Sequence, residues 1–165
     1  RGQGAALKTG IDFAIQKNAQ IIVTFDADGQ FLAGEIKDLV SPVEKHEVEV
    51  TLGSRFLGES KDMPIMKKIV LLLGVIVVWL LYGIKITDSQ NGFRAMSRRA
   101  SEEIEITSNR MEHAGEIMGE IVKKKLSYRE VPVTVVYSEY SKRKGQPWTR
   151  SINLGLRMLF KKITR

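Results

Sequence analysis

The sequence predicts an α/β fold, a mostly parallel sheet flanked by helices. Three observations carry that expectation. Apolar segments switch between strand and helix periods, in the order strand, helix, strand, from Ile21 to Gly53. Two predicted strands end in polar residues, Asp26 and Asp28 after one, Ser54 and Arg55 after the other. In open α/β sheets, ligands gather at the carboxyl ends of strands. The composition, 43% hydrophobic and 27% charged over 165 residues, is that of one globular domain with a real core.

Taken in order, Gly2-Gln3-Gly4-Ala5-Ala6-Leu7 opens a helix that runs to about Lys17, with Ala6, Gly10, Phe13 and Ala14 expected on its inner face. Its glycines are not a dinucleotide fingerprint, because Leu7 takes the third glycine position and no strand precedes them. Ile21-Ile22-Val23 is short and β-branched, a buried strand. Asp26, Asp28 and Gly29 follow it. Two acids one residue apart can share one hard cation, and Mg²⁺ favours one or two carboxylates plus substrate phosphates and water. The same residues also fit a plain Asp-Gly turn. They do not fit an EF-hand, since the twelfth residue from Asp26 is Lys37.

Glu35 to Lys45 has helical spacing, and Glu47 to Gly53 reads as a strand leading to Ser54 and Arg55. Ile69 to Ile84 is a sixteen-residue apolar run between Lys67-Lys68 and Lys85. A spanning helix wants about 17–25 residues. Three readings stay open, in this order: buried core helix, helix lying in a membrane interface, short spanning helix. Trp79 and Tyr82 suit an interface or a core equally.

Thr87 to Arg94 is a polar loop, functional or an Asx-type turn. Ser101 to Ile106 and Met111 to Lys125 read as helices. Glu112, Glu116 and Glu120, four apart, are expected on a solvated face, and His46 and His113 as structural or exposed. Leu126 to Tyr137 reads as a strand that Pro132 places at a sheet edge. Ser138 to Arg150 is a basic loop. Ser151 to Ile163 is an amphipathic helix whose Arg157, Lys161 and Lys162 suit a membrane surface or ordinary packing.

The formal charge is +7, and twelve of the 26 basic residues lie between Lys123 and Arg165, against only Glu130 and Glu139. That imbalance points to an anionic partner: a membrane surface, a phosphorylated substrate or nucleic acid. Aromatic residues in the basic end are few and no RNA or DNA motif appears, so no nucleic-acid partner is expected. With no cysteine there is no disulfide framework and no thiolate metal site. No signal peptide is visible. Without Met at position 1, the chain reads as a fragment.

The motifs occur in a fixed order: Gly-x-Gly-Ala-Ala-Leu, Phe-Asp-Ala-Asp-Gly-Gln, Gly-Ser-Arg-Phe, Met-Pro, Thr-Asp-Ser-Gln-Asn-Gly-Phe-Arg-Ala-Met and Glu-Val-Pro-Val. This series resembles the family 2, GT-A fold glycosyltransferases, and within them the dolichol-phosphate mannose synthase group, from Gly2 to about Tyr140. The resemblance implies a partial GT-A (Rossmann-like) domain over 1–140, followed by the basic loop and helix of 141–165. It implies sugar transfer, with inversion, from a nucleotide-sugar donor to a polyprenyl (dolichyl) phosphate at the cytoplasmic face of a membrane.

By the same resemblance Asp26 and Asp28 hold the donor and a divalent metal, Mg²⁺ or Mn²⁺, with Gln30 as a further metal contact. Arg55 meets donor or acceptor phosphates, and Asp88 and Arg94 border the reacting sugar. Trp79, Arg157, Lys161 and Lys162 are the expected membrane contacts. Three departures stand beside these expectations. The family's opening strand with its Asn-Glu and Asp-Asp segments is absent. Phe31 and Ala33 replace a usual His and Pro. Lys67-Lys68 replaces the usual Arg after Met-Pro. An alternative is a truncated GT-A module without catalysis that binds a membrane or a partner chain.

Overall fold

The structure, a computed structural model, describes residues 2–137. The expected basic loop and helix, with Arg157, Lys161 and Lys162, lie outside the described residues. Four strands form one sheet in the order β1-β3-β2-β4, with β1 at Ile21–Thr24, β2 at Val50–Lys61, β3 at Arg94–Ser97 and β4 at Tyr128–Val136. β3 pairs antiparallel with both β1 and β2, while β2 and β4 pair parallel. Three strands therefore run one way and β3 runs against them, so the sheet is mixed. The expected strand-helix-strand unit is present, but β1 and β2 are not neighbours, because β3 lies between them.

The helices are α1 (Gln3–Gln16), α2 (Ile36–Glu44, entered through a 3-10 turn at Ala33–Glu35), α3 (Ile65–Tyr82), α4 (Arg98–Glu103) and α5 (His113–Lys123). Side chains alternate across a sheet. One face carries Ile22, Val50, Leu52 and Met96, and packs with Ile11 of α1, Val78 of α3 and Ile117 and Ile121 of α5. The other carries Phe93, Ala95, Val131, Val133 and Val135 against Leu39 and Val43 of α2. Thr51, fully buried, satisfies its hydroxyl by donating to the Leu39 carbonyl at 2.8 Å.

Several expectations need correction. The inner face of α1 is Gly4, Leu7, Ile11 and, as expected, Ala14, whereas Ala6 and Gly10 are exposed and Phe13 is 58% exposed. Gly4 sets that rotation, because a Cβ there would run into the Ser108 carbonyl. The first helical piece after β3 starts earlier than expected, at Arg98, since the Ser97 hydroxyl caps it by accepting from Ala100 N–H at 3.1 Å. Glu116 is not simply solvated: its carboxylate accepts the Thr107 and Ser108 amides at 3.0 and 2.9 Å. Glu120 is only 9% exposed.

Two differences bear on function. β2 does not stop at Gly53. It continues to Lys61 along β4, with an irregularity in which Ser54 to Glu59 spans five residue steps against two from Pro132 to Thr134. That bulge re-aims Arg55 and Phe56. α3 begins at Ile65, not Ile69, and only 22% of its 18 residues are buried. It is therefore not the buried core helix that ranked first. Val70, Leu71, Val78 and Leu81 face the fold, while Ile65, Leu73, Ile76, Trp79 and Leu80 are about half or more exposed. β4, as Pro132 implied, forms an edge of the described sheet.

The bulge depends on close backbone approach at Gly58, where a Cβ would meet Val133 N at 2.6 Å and C at 2.8 Å. Overpacking of this kind costs about 1–3 kcal/mol. Gly58→Ala is expected to lower the thermal midpoint by several degrees. Gly34→Ala, with open space around its Cβ, is expected to leave it unchanged. Equal midpoints in thermal unfolding would contradict the close approach.

Candidate active site

The sheet register builds the site. Thr24 pairs with Arg94 across β1 and β3, so the chain leaving β1 meets the chain entering β3. The Thr24 hydroxyl donates to the Gly92 carbonyl at 2.6 Å. Asp26 then lies against Gly92, where any Cβ would collide with its carboxylate. This is why glycine stands in that loop. Asp26 Oδ1 accepts from the Gln3 amide of α1 at 2.9 Å. Asp28 Oδ1 accepts the Gln30 backbone N–H at 3.0 Å, an Asx turn, and Gly29 takes φ +77° in it. Gln30 is half-buried on the same turn, and its carbonyl accepts Val136 N–H at 2.9 Å.

A second constellation lies where β2 bulges. Asp88 is 2% exposed and Arg55 6%. Arg55 Nε donates to Asp88 Oδ2 at 2.6 Å, and its backbone N–H donates to the same oxygen at 3.2 Å. Arg55 Nη1 donates to the Tyr137 hydroxyl at 2.7 Å. Burial works against the Arg55 charge, but Asp88 and Tyr137 together outweigh it and hold its pKa above the ordinary value. Breaking a buried pair from one side costs about 3–5 kcal/mol. Asp88 also accepts from Gln90 N–H and the Asn91 amide, each at 3.3 Å. The polar loop is therefore both the expected Asx-type turn and the holder of Arg55.

Arg94 is 1% exposed, and among the described residues its Nε has no hydrogen-bond partner. Burial lowers its pKa to about 10, against the pull of Asp26 and Asp88. The group stays cationic at neutral pH. A depressed pKa on a base means the unfolded chain binds this proton more tightly, so the charge weakens the fold in full below about pH 10 and is relieved only as pH rises from there toward the ordinary arginine value. Lys67, in the first turn of α3, places its ammonium 4.9 Å from the Tyr137 ring centre. Burial lowers its pKa, Arg55 adds to that effect, and Asp28 opposes it. His113 is 4% exposed, and its Nδ1 lies 2.7 Å from the Arg110 carbonyl. It is structural rather than exposed, and its charge environment includes Arg94 and Asp26.

The structure thus gathers Asp26, Asp28, Arg55, Asp88 and Arg94 at one end of the sheet. Trp79 is apart from them, half-exposed on α3. Sequence reasoning missed Tyr137, Glu130 and Gln3 as members. Glu130 had a signal in the Glu-Val-Pro-Val motif, but Tyr137 and Gln3 had none. Among the described residues no three Asp, Glu or His side chains form a closed metal-ligand set. Asp26 and Asp28 are both part-exposed, and each keeps acceptor capacity beyond the bonds given above. Two carboxylates fit a hard cation whose other ligands are a diphosphate and water. Three cationic side chains nearby fit the same anion.

The model of glycosyl transferase family 2 matches residues 1–105. Over 99% of its length the chain is 36% identical to an uncharacterized protein of Methanocaldococcus jannaschii, covering 67% of that protein. It is 35% identical, again over 99% of its length, to the UDP-N-acetylglucosamine–dolichyl-phosphate N-acetylglucosaminyltransferase of Methanococcus voltae, covering 66% of it. It is 27% identical to the polyprenol monophosphomannose synthase of Mycolicibacterium smegmatis, over 65% of this chain and 41% of that one. The chain spans about two thirds of the length of the first two relatives. With the family's match extending over residues 1–105 and carrying the Asp26, Asp28, Arg55, Asp88 and Arg94 constellation, the chain belongs to glycosyl transferase family 2.

Proposed function

We propose that this chain carries the reacting centre of a metal-dependent, inverting glycosyltransferase that moves a sugar from a nucleotide-sugar donor to a polyprenyl phosphate such as dolichyl phosphate. The observation that carries the reading is the buried Arg94 beside Asp26 and Asp88, its Nε without a hydrogen-bond partner among the described residues, with Arg55 and Lys67 close by. A site with this much buried positive charge is complementary to a phosphorylated ligand. The name of the Methanococcus voltae relative supports the acceptor class.

Asp26 and Asp28 would hold the divalent ion, with Gln30 on the same turn as a further contact. The ion would offset the negative charge of the departing nucleotide diphosphate. Arg94 adds a fixed positive charge at the reacting centre, which costs no reorganisation during reaction. Arg55, held flat by Asp88 and Tyr137, presents its remaining guanidinium edge to a phosphate. The acceptor phosphate oxygen is ionised near neutral pH and serves as the nucleophile, so no strong general base is needed. Its bond to the anomeric carbon forms as the bond to the donor phosphate breaks, which inverts that carbon. Lys67 takes the place of the family's usual arginine as the cation at the start of α3.

α3 also supports a lipid acceptor. It is long and apolar enough to cross a membrane by length and composition, yet Val70, Leu71, Val78 and Leu81 bind it to the fold. A helix packed along one side is suited to lie in the interface, with Trp79 at headgroup level. In this reading attachment is peripheral and at the cytoplasmic face, and Arg157, Lys161 and Lys162 add attraction of about 1 kcal/mol each near an anionic leaflet.

The reading is tested with the full-length protein, dolichyl phosphate and a panel of nucleotide sugars. One donor is expected to yield a lipid-linked sugar. Asp28→Asn should lower turnover by about a hundredfold or more, since a metal supplies several kcal/mol of charge stabilisation. Undiminished turnover in excess chelator would remove the metal from the account, and no lipid product from any donor would remove the acceptor.

Vesicle sedimentation tests the membrane contact. Binding to anionic vesicles should fall steeply with salt, because surface charges are screened within about 10 Å at 0.1 M. Trp79→Glu should weaken it at any salt without lowering the thermal midpoint. Binding that only detergent releases would indicate insertion through α3, and no binding to neutral or anionic vesicles would sink the interfacial role.

A further inference from the structure

Glu130 lies on β4, opposite Leu52 in the register with β2, and it makes no hydrogen bond to Arg55. Its carboxylate instead collects donors from the polar loop. Thr87 N–H donates to both its oxygens at 2.8 Å. The Thr87 hydroxyl donates to Oε1 at 2.9 Å, and Asp88 N–H to the same oxygen at 3.1 Å. Three donors on a half-buried acid far exceed what tethering an edge strand requires.

The chemistry of an ionised carboxylate gives this cluster a direction. It can only accept. The Thr87 hydroxyl has one proton, and Glu130 takes it. At the 2.6 Å contact between Thr87 Oγ1 and Ser54 Oγ, Thr87 must therefore accept and Ser54 must donate. The lone pairs of Ser54 are then free for Phe56 N–H at 3.2 Å and Leu57 N–H at 3.3 Å. Those amides belong to the bulge that carries Arg55. On the other branch, Glu130 fixes the Asp88 backbone, and the Asp88 side chain takes the Nε and backbone N–H of Arg55.

We propose that Glu130 is a positioning residue for Arg55: one acceptor-only carboxylate orders the bonds that hold both the bulge and Asp88, and so aims the guanidinium at its phosphate. Its catalytic consequence rests on the transferase reading above, but the geometry does not. Glu130→Gln keeps the size but removes the charge and turns one acceptor into a donor. The direction of the Thr87–Ser54 bond is then no longer forced.

Two readouts in the full-length protein separate this from a plain structural strut. The first needs no activity. The Nε–H signal of Arg55, assigned by its loss in Arg55→Lys, is followed by ¹⁵N NMR exchange with solvent. Glu130→Gln should speed that exchange about tenfold or more, the equivalent of one charge-assisted bond, while the thermal midpoint stays within a few degrees. Thr87→Val, which removes only the hydroxyl link, should give a smaller increase, and it carries the test if Glu130→Gln does not fold.

The second readout is kinetic. Glu130→Gln should lower kcat about tenfold to a hundredfold, the scale of misplacing a reacting group. In the Arg55→Lys background the same change should add less than about twofold, since it acts through Arg55. Unaltered Arg55 exchange in both variants, or fully additive kinetic losses, would overturn the proposal. If the wild-type protein transfers no sugar, the transferase reading fails while the exchange measurement still decides the role of Glu130.

Discussion

The constraint on which the rest of this structure depends is the burial of positive charge at the end of a sheet. Arg94 and Arg55 are almost inaccessible, at 1% and 6% exposure. Burying a charge is costly unless it is paired and fully hydrogen-bonded. Arg55 is paired with Asp88 and bonded to Tyr137, which leaves only the rest of its guanidinium edge without a bond. Arg94 is bonded less fully, because among the described residues its Nε has no partner and burial depresses its pKa. Asp88 stabilises both cations and Asp26 stabilises Arg94, yet burial still outweighs them at Arg94. In the proposed reading that uncompensated charge is met by the phosphate of a ligand.

The topology explains how these groups meet. β3 runs antiparallel between β1 and β2, so the loop that enters β3 lies beside the turn that leaves β1. The loop's other end follows α3, which packs the fold with one side and leaves the opposite side to solvent. Gly74 permits that arrangement, since a Cβ there would sit 3.3 Å from both Ser89 Oγ and Gln90 Nε2. A single polar loop therefore touches the acidic turn, the bulged strand and the apolar helix. In the proposed reading, donor chemistry and a lipid-facing surface share this one short stretch of chain.

Much of this was legible in the sequence, for identifiable reasons. Ile21-Ile22-Val23 and the acids after it were readable because a short β-branched run ending in polar residues has few other uses. The edge position of β4 followed from Pro132, which lacks an N–H. The length of β2 was not readable, because Gly53 and Gly58 look like turn residues. Only the structure reveals them as points where Phe93 and Val133 approach closely. The exposure of α3 was equally hidden, since an apolar run has the same composition in a core and at an interface. Tyr137 and Gln3 reach the site through tertiary contacts that no local spacing encodes.

Arg94→Met tests the central claim most directly, by removing the buried charge while keeping an apolar side chain of similar length. Thermal unfolding and binding of the nucleoside diphosphate with Mg²⁺ would be measured on the same full-length variant. If the cation is kept for a phosphate at the expense of stability, the midpoint should hold or rise, and nucleotide affinity should fall about tenfold to a hundredfold, as for loss of a charge-assisted contact. A midpoint lower by several degrees with nucleotide affinity intact would show that Arg94 serves the fold and not the ligand.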